Sequence, residues 1–278
     1  MADVITKYEH LKAVLGAMKG VLAAFSGGVD SSLVLKVAVD VLGDRVLAVT
    51  AQSATTARHE SADAQALAEA LGVEYLTIQS HELELTDFVR NPTDRCYVCK
   101  KSRFTDLVKR AEDRGLEFVI DGENADDHLD YRPGSRAARE LGVRSPLREV
   151  GLSKEEVRYL SKMLGLPTWN KPAYACLATR IPYHSPVTFE KLQQVDQAED
   201  FIRGLFPGSQ VRVRHHGDLA RVEVDPDLIS RIAASEPRRV IADYLKQSGF
   251  LYVCLDLEGY AVGSLNRVIS VDSPHGSR

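Results

Sequence analysis

At 278 residues, with 44% hydrophobic and 27% charged side chains, the chain has the composition of a soluble globular protein and room for one large domain plus a smaller one. A net charge of −4 argues against a general nucleic-acid binder, which needs a surplus of lysine and arginine. No stretch nears the ~20 apolar residues of a bilayer span, and "MADVITKYEH" lacks the charged start and apolar run of a secretory signal. A cytoplasmic location without a membrane partner is therefore expected, and the four cysteines are then ligands, catalysts or buried apolar residues rather than disulfides.

Short β-branched or aromatic runs, "VLAAF" (21–25), "RVLAVTA" (45–51), "EYLTIQ" (74–79) and "EFVIDG" (117–122), read as strands. Between them "SSLVLKVAVDVLG", "ESADAQALAEALG" and "CKKSRFTDLVKRAEDRG" read as helices, each closing on a glycine. Strict alternation predicts an α/β fold, a parallel sheet covered by helices on both faces. Ligands in such sheets lie beyond the carboxyl ends of the strands, which puts "SGGVDS", the residues after Ala51 and "DGENADD" on one rim. "SKEEVRYLSKMLGLP" (153–167) opens with Ser-x-x-Glu, a capping box, and the proline-bearing 167–186 reads as a connecting loop. Beyond it come a helix near 188–204, the strands "QVRVRHH" and "ARVEV", a helix near 227–246 and a last strand in "FLYVCLDLE". The expected division is a first domain over 1–186, a small α/β domain over 187–270 and a frayed tail over 271–278.

"SGGVDS" joins a strand to a helix, where backbone N–H groups favour anions and glycines admit phosphate oxygens. The Walker pattern does not fit, because no lysine closes the loop. Asp30 would repel a bare phosphate and makes sense as a helix cap or as an indirect holder of Mg²⁺. A plain strand–helix turn with an Asp/Ser cap would use the same residues, but both flanks favour phosphate. "FSGGVDSS" resembles the PP-loop of the adenine-nucleotide α-hydrolase-like ATP pyrophosphatases. That resemblance implies a loop holding the β,γ-pyrophosphate of ATP while AMP passes to an oxygen acceptor.

Cys96-x-x-Cys99 brings two thiolates within reach of one metal, and Cys176 lies in "NKPAYACLATRIPY". Cys254, inside apolar "FLYVCL", reads as a core residue. A redox pair would open a helix after a strand, a context not expected here. Zinc would need a fourth ligand, with His128 or His184 as candidates. Three cysteines around an iron–sulfur cluster would leave one iron open to a sulfide. "DGENADDHLDYRPGSRAARELGVRSPL", "WNKPAYACLATRIPY" and "VRVRHHGDLARVEV" together resemble the LarE family, the pyridinium-3,5-biscarboxylic acid mononucleotide sulfurtransferases, over nearly the whole chain.

The resemblance implies ATP-dependent adenylylation of a pyridinium carboxylate and replacement of its oxygen by sulfur, in the making of the nickel-pincer nucleotide cofactor of lactate racemase. It implies Cys96, Cys99 and Cys176 as ligands of a [4Fe–4S] cluster carrying an extra sulfide. If the first two bound zinc instead, a one-shot route would return in which Cys176 gives up its own sulfur. Carried over by motif, Ser26, Gly27, Gly28, Asp30 and Ser31 hold pyrophosphate and metal. Ala24, Phe25, Gln52, Ser53 and Gly122 line the nucleotide site, with Lys101 and Arg132 as phosphate contacts. Strand alternation puts Arg212 and Arg214 on one face, suited to the substrate's monophosphate, although a solvated strand face has the same pattern. Glu199 and Glu223 are candidate ligands of a divalent metal.

Relatives of this kind form trimer-based hexamers, with "LNRV" (265–268) a candidate interface. Three other readings stay open on the residues. A tRNA-thiolating PP-loop enzyme is disfavoured by the acidic balance; an amide former of the NAD- or GMP-synthetase type needs no cysteine triplet; and a regulatory nucleotide-binding module would carry structural zinc.

Overall fold

The computed structural model describes residues 2–129, 133–172 and 175–261, with the side chains of 2, 58–62, 128 and 129 left aside. The chain divides into two compact units, Met1–Glu82 with Asp94–Tyr174, and Leu83–Thr93 with the residues from Ala175 onward.

The first unit runs α1 (Ala2–Gly16), β1 (Val21–Ala24), α2 (Val29–Leu42), β2 (Val46–Gln52), α3 (Arg58–Ala70) and β3 (Glu74–Gln79). The chain then leaves for α4 (Thr86–Val89), in the second unit, and returns through α5 (Arg95–Asp113), β4 (Phe118–Ile120), α6 (Pro133–Glu140), α7 (Pro146–Glu149) and α8 (Lys154–Met163). The four strands pair in the order β3-β2-β1-β4, all parallel. The helix-covered parallel α/β sheet expected from alternation is therefore present. β1, β2 and β4 are short apolar runs because both their faces are covered, while β3 at the edge keeps exposed residues. Val21 and Ala23 pack with Leu33 and Val37 of α2 and Leu11 and Leu15 of α1, while Leu22, Leu47 and Val49 pack with Phe104 and Leu107 of α5. The strand order reverses at β1: β2 and β3 are added on one side of it, and the chain then crosses over to add β4 on the other. A ligand crevice forms at such a switch point, so the loops after β1 and β4 face one another.

The helix α8 starts where the capping box predicts. Ser153 Oγ accepts from the Glu156 N–H, and the Glu156 carboxylate accepts from the Ser153 N–H. Glu156 also holds Lys7 of α1 at 2.8 Å, which pins α8 against the N-terminal helix.

The second unit holds α9 (Phe189–Leu205), β5 (Val211–His216), β6 (Leu219–Val224), α10 (Ile229–Ala233), α11 (Ser235–Gln247) and β7 (Tyr252–Leu255). The expected single helix over 227–246 is broken at Ala234. Pro237 sits in the first turn of α11, where its missing N–H costs nothing, and one continuous helix would drive its ring into the Ala233 carbonyl. The sheet order is β5-β6-β7, antiparallel then parallel. Val211, Val213, Val222 and Val224 face the helices and pack with Ile202, Ile241 and Leu245. The alternate residues Arg212, Arg214, Arg221, Glu223 and Cys254 take the other face. Cys254 is consequently exposed, not a core residue: β7 is an edge strand, and period two turns Val253 and Leu255 rather than Cys254 toward the core.

Asn91, fully buried with a φ of 57°, fastens the inserted stretch within this unit. Its side-chain amide donates to the carbonyls of Pro182 at 2.7 Å, Ser185 at 2.8 Å and Ile181 at 3.3 Å, and its own carbonyl accepts from the His184 N–H.

Candidate active site

In the first unit, the chain runs on past β1 alongside β2: the Phe25 N–H donates to the Val49 carbonyl and Thr50 Oγ1 donates to the Phe25 carbonyl. The Phe25 ring is buried in the core, so only its backbone faces the strand ends. Gly27 then turns at a φ of 69°, where a Cβ would lie 3.0 Å from that of Ala64 on α3. Gly28 is the N-cap of α2 and has no side chain to occupy the first N–H groups of the helix. Ser26 Oγ and Ser31 Oγ lie 3.1 Å apart at the loop mouth, and Ser32 Oγ donates to the Gly28 carbonyl at 2.7 Å. Open N–H groups, two hydroxyls and a helix N-terminus form an anion cradle.

Asp30 does not stand as a bare charge beside it. Asn124 Nδ2 donates to one of its oxygens at 3.1 Å, and Lys154 Nζ donates to the other. Lys171 Nζ lies 3.3 Å from the Gly27 carbonyl oxygen and 2.9 Å from Asp63 Oδ2. Two lysines thus reach a loop whose own sequence has none. Sequence reasoning missed both, since they stand 124 and 144 residues from their loop partners. The only local signal was that Lys154 directly follows a capping serine.

Gly122, at the end of β4, closes the other side of the crevice. A Cβ there would stand 2.7 Å from the Ser31 nitrogen and 2.9 Å from its Cα, both backbone atoms that cannot swing away. Gly122→Ala is expected to cost about 1–3 kcal/mol of stability and to weaken anion binding by displacing the first turn of α2. A thermal melt and a ligand titration check both.

Ser53, beyond β2, joins a buried polar cluster. Arg103 of α5 donates to Ser53 Oγ at 3.0 Å, Thr55 Oγ1 at 3.1 Å, Ser80 Oγ at 3.1 Å and Glu82 Oε1 at 2.6 Å. Burial pushes the Glu82 carboxyl up, but the Arg103 guanidinium and the Ser53 and Ser80 hydroxyls together hold it below the usual glutamate value. A depressed folded-state pKa adds stability above the unfolded pKa of about 4.3 and loses it as pH falls through the folded value. Glu82→Gln should therefore cost about 2 kcal/mol at neutral pH, with the deficit shrinking in melts below about pH 4. Gln52 lies beside this cluster, accepting from Gln79 Nε2 at 3.4 Å.

Lys101, expected at a phosphate, points elsewhere: its Nζ donates to Tyr97 Oη at 2.9 Å and lies 3.6 Å from Glu140. Arg132, with His128's side chain and 265–268, lies outside the described residues. Cys96 and Cys99 stand in the first turns of α5, so the pair does open a helix, although that helix follows a loop rather than a strand. Three residues apart, their Cβ atoms share one helix face at a separation of about 5–6 Å. That spacing and two accessible thiols suit two ligands of one metal or cluster.

Cys176 belongs to the second unit, exposed at the N-cap of a 3-10 turn over Leu177–Arg180. Its carbonyl is gripped by three donors: the Thr179 N–H at 2.9 Å, Thr179 Oγ1 at 2.7 Å and Arg180 Nη1 at 3.3 Å. Arg180 is in turn forked onto Glu199, at 2.7 and 2.9 Å, and Glu199 also accepts from the Val213 N–H at 2.9 Å. Arg214 donates to the Thr179 carbonyl at 2.9 Å and to Glu223 Oε2 at 2.6 and 3.0 Å, while Arg221 holds Glu223 Oε1 at 2.9 Å.

Glu199 and Glu223, expected as divalent-metal candidates, thus have their oxygens turned to guanidiniums. Among the described residues no group of three or more His, Cys, Asp or Glu side chains is gathered as a metal site. Arg180, Arg212 and Arg214 are buried in this unit together with the carboxylates of Glu199 and Glu223, and Asp196 of α9 is buried as well. Burial, with Arg180 close by, pushes the Arg212 guanidinium below its ordinary value. An anion arriving there would offset the repulsion between the two guanidiniums.

The comparisons agree with this geometry. Residues 3–103 match the family described as NAD synthase, and the chain is 24% identical to a glutamine-hydrolysing GMP synthase of Saccharomyces cerevisiae over 60% of this chain and 37% of that one. With the glycine loop at the switch point of a parallel sheet, these place it among the PP-loop α/β proteins. It is 46% identical to an uncharacterized protein of Synechocystis, over 95% of this chain and 98% of that one. It is 40% identical, over 97% of each chain, to the pyridinium-3,5-bisthiocarboxylic acid mononucleotide synthase of Lactiplantibacillus plantarum. The chain belongs to the family of that synthase, the LarE family.

Proposed function

We propose that this protein inserts sulfur into pyridinium-3,5-biscarboxylic acid mononucleotide at the expense of ATP, as a step in making the nickel-pincer nucleotide. The observation that carries the reading is the 40% identity to the pyridinium-3,5-bisthiocarboxylic acid mononucleotide synthase over 97% of both chains.

The geometry supplies a division of labour. The cradle at the N-terminus of α2 receives the β,γ-pyrophosphate of ATP, and Mg²⁺ held near Asp30 would neutralise part of the phosphate charge. The strand ends at Ala24, Gln52 and Ser53 receive the nucleoside. A substrate carboxylate oxygen attacks the α-phosphorus, the bond from phosphorus to the pyrophosphate oxygen breaks, and pyrophosphate departs with the electron pair. Loop N–H groups and the hydroxyls of Ser26 and Ser31 meet the developing charge. Sulfur then bonds to the activated carbonyl carbon as the carbon–oxygen bond to AMP breaks. Arg212 and Arg214, two guanidiniums on one face of β5, hold the substrate's monophosphate.

Cys96, Cys99 and Cys176 would be the ligands of a [4Fe–4S] cluster, which would supply an iron-bound sulfide as a renewable sulfur source. In its absence the Cys176 thiolate is the nucleophile and forms a thioester; loss of the Cα proton then breaks the Cβ–S bond, so that the thiocarboxylate leaves and dehydroalanine remains after one turnover. A trimer-based hexamer remains part of this proposal and is read by light scattering.

The test incubates anaerobically purified protein with ATP, Mg²⁺ and the biscarboxylic mononucleotide. Pyrophosphate and AMP should appear with a product whose mass records oxygen exchanged for sulfur. Intact-protein mass then separates the two sulfur sources: Cys176 stays whole if the source is renewable and loses its sulfur if it is not. Pyrophosphate release with no sulfur-bearing product would overturn the reading.

A further inference from the structure

A phosphate loop without a lysine must meet the charge of a leaving pyrophosphate some other way, and the two lysines that reach this loop are committed very differently. Lys154 is tied to Asp30, whose carboxylate is only 22% exposed and cancels its charge. Lys171 has its Nζ between the Gly27 carbonyl and Asp63, with 14% of its own side chain exposed. Asp63 is 58% exposed, and a pair with so exposed a partner is worth only about 0–1 kcal/mol. The ammonium is thus half-buried against the glycine turn and weakly held.

Its backbone is fixed from below. Arg158 of α8 donates to the carbonyls of Trp169 and Lys171, each at 3.0 Å, and the Lys171 N–H donates to the Thr168 carbonyl at 2.9 Å. A compact charge on a flexible stem above an anchored backbone can change partner without moving the chain.

We propose that Lys171 is the cation this loop lacks. When ATP binds, Nζ leaves Asp63 for the β- and γ-phosphate oxygens. During adenylylation it stays an ammonium and stabilises the charge left on pyrophosphate as the bond to the α-phosphorus breaks. The inference rests on the loop being an ATP cradle but not on which acceptor receives AMP.

Calorimetric titration of the whole protein with Mg²⁺ and inorganic pyrophosphate, a non-hydrolysable ATP analogue, or AMP tests it. Lys171→Ala should weaken pyrophosphate and the ATP analogue by about tenfold or more while AMP, which lacks the contacted phosphates, changes by less than about twofold. Lys171→Arg should recover part of the loss, and Asp63→Asn, which releases the ammonium, should tighten pyrophosphate by about two- to fivefold. A variant that loses AMP along with pyrophosphate is misfolded at the loop, and one that loses neither has no such contact; either result overturns the proposal. Wild-type protein that binds neither pyrophosphate nor the ATP analogue overturns it together with the ATP reading, whereas failure to convert the pyridinium substrate touches neither.

Discussion

Cys176→Ala is expected to abolish sulfur insertion, by about 10³-fold or more as for loss of a nucleophile, while pyrophosphate release continues. The thiol is exposed, so its removal opens no cavity and the unit should keep its melting temperature. Its backbone is held by Thr179 and Arg180 through the carbonyl, and alanine preserves those bonds. The cradle, by contrast, is built from Ser26, Gly27, Gly28 and Ser31 in the other unit. Parallel assays of pyrophosphate and of sulfur-bearing product by mass spectrometry separate the two steps. Equal loss of both would show that the residue serves nucleotide chemistry and would remove it as the sulfur-handling group.

Glu199→Gln is expected to be the most destabilising of these changes. Its carboxylate is fully buried and carries the fork from Arg180, the Val213 N–H and a longer contact to Arg203 at 3.6 Å. Neutralising it strands Arg180 beside Arg212, a guanidinium that burial already burdens. Breaking one half of a buried ion pair costs about 3–5 kcal/mol, so the melting temperature should fall on the order of 10 °C. Arg180 also donates to the carbonyls of Ala175 and Cys176. At temperatures where the variant is folded, sulfur insertion should therefore drop more than pyrophosphate release. Glu199→Asp keeps the charge and should restore part of both; a melt unchanged in Glu199→Gln would contradict this account.

Much of the first unit was legible because local signals agreed with one another. "EYLTIQ" marks β3 at both ends, the Ser153–Glu156 pair marks the start of α8, and "VLAAF" announces a strand buried on both faces. The place of β1 between β2 and β4 was not legible, since strand order depends on where a crossover returns rather than on any residue in the strand. Cys254 misled because an apolar run at a sheet edge looks like one at its centre. The cradle itself was readable as adjacent residues. What the folded site adds from far along the chain is Lys154 and Lys171; the guanidiniums that face Glu199 and Glu223 stand 19 residues away or fewer. No spacing rule connects a charge to a partner more than a hundred residues away, so such pairs emerge only when the chain closes on itself.

The grip of Asn91 on three carbonyls has a bearing on how this protein can be taken apart. An excised piece beginning at Ala175 would lack that amide and take a donor from the oxygens of Ile181, Pro182 and Ser185, just beyond the turn that carries the thiol, although that of Pro182 keeps the Ser185 N–H. The smaller half is therefore no separable cassette: grafting it onto another scaffold demands three splice points, one on either side of residues 83–93 and one before Ala175, and a swap made with a single cut would part the stretch that carries Cys176 from Asn91.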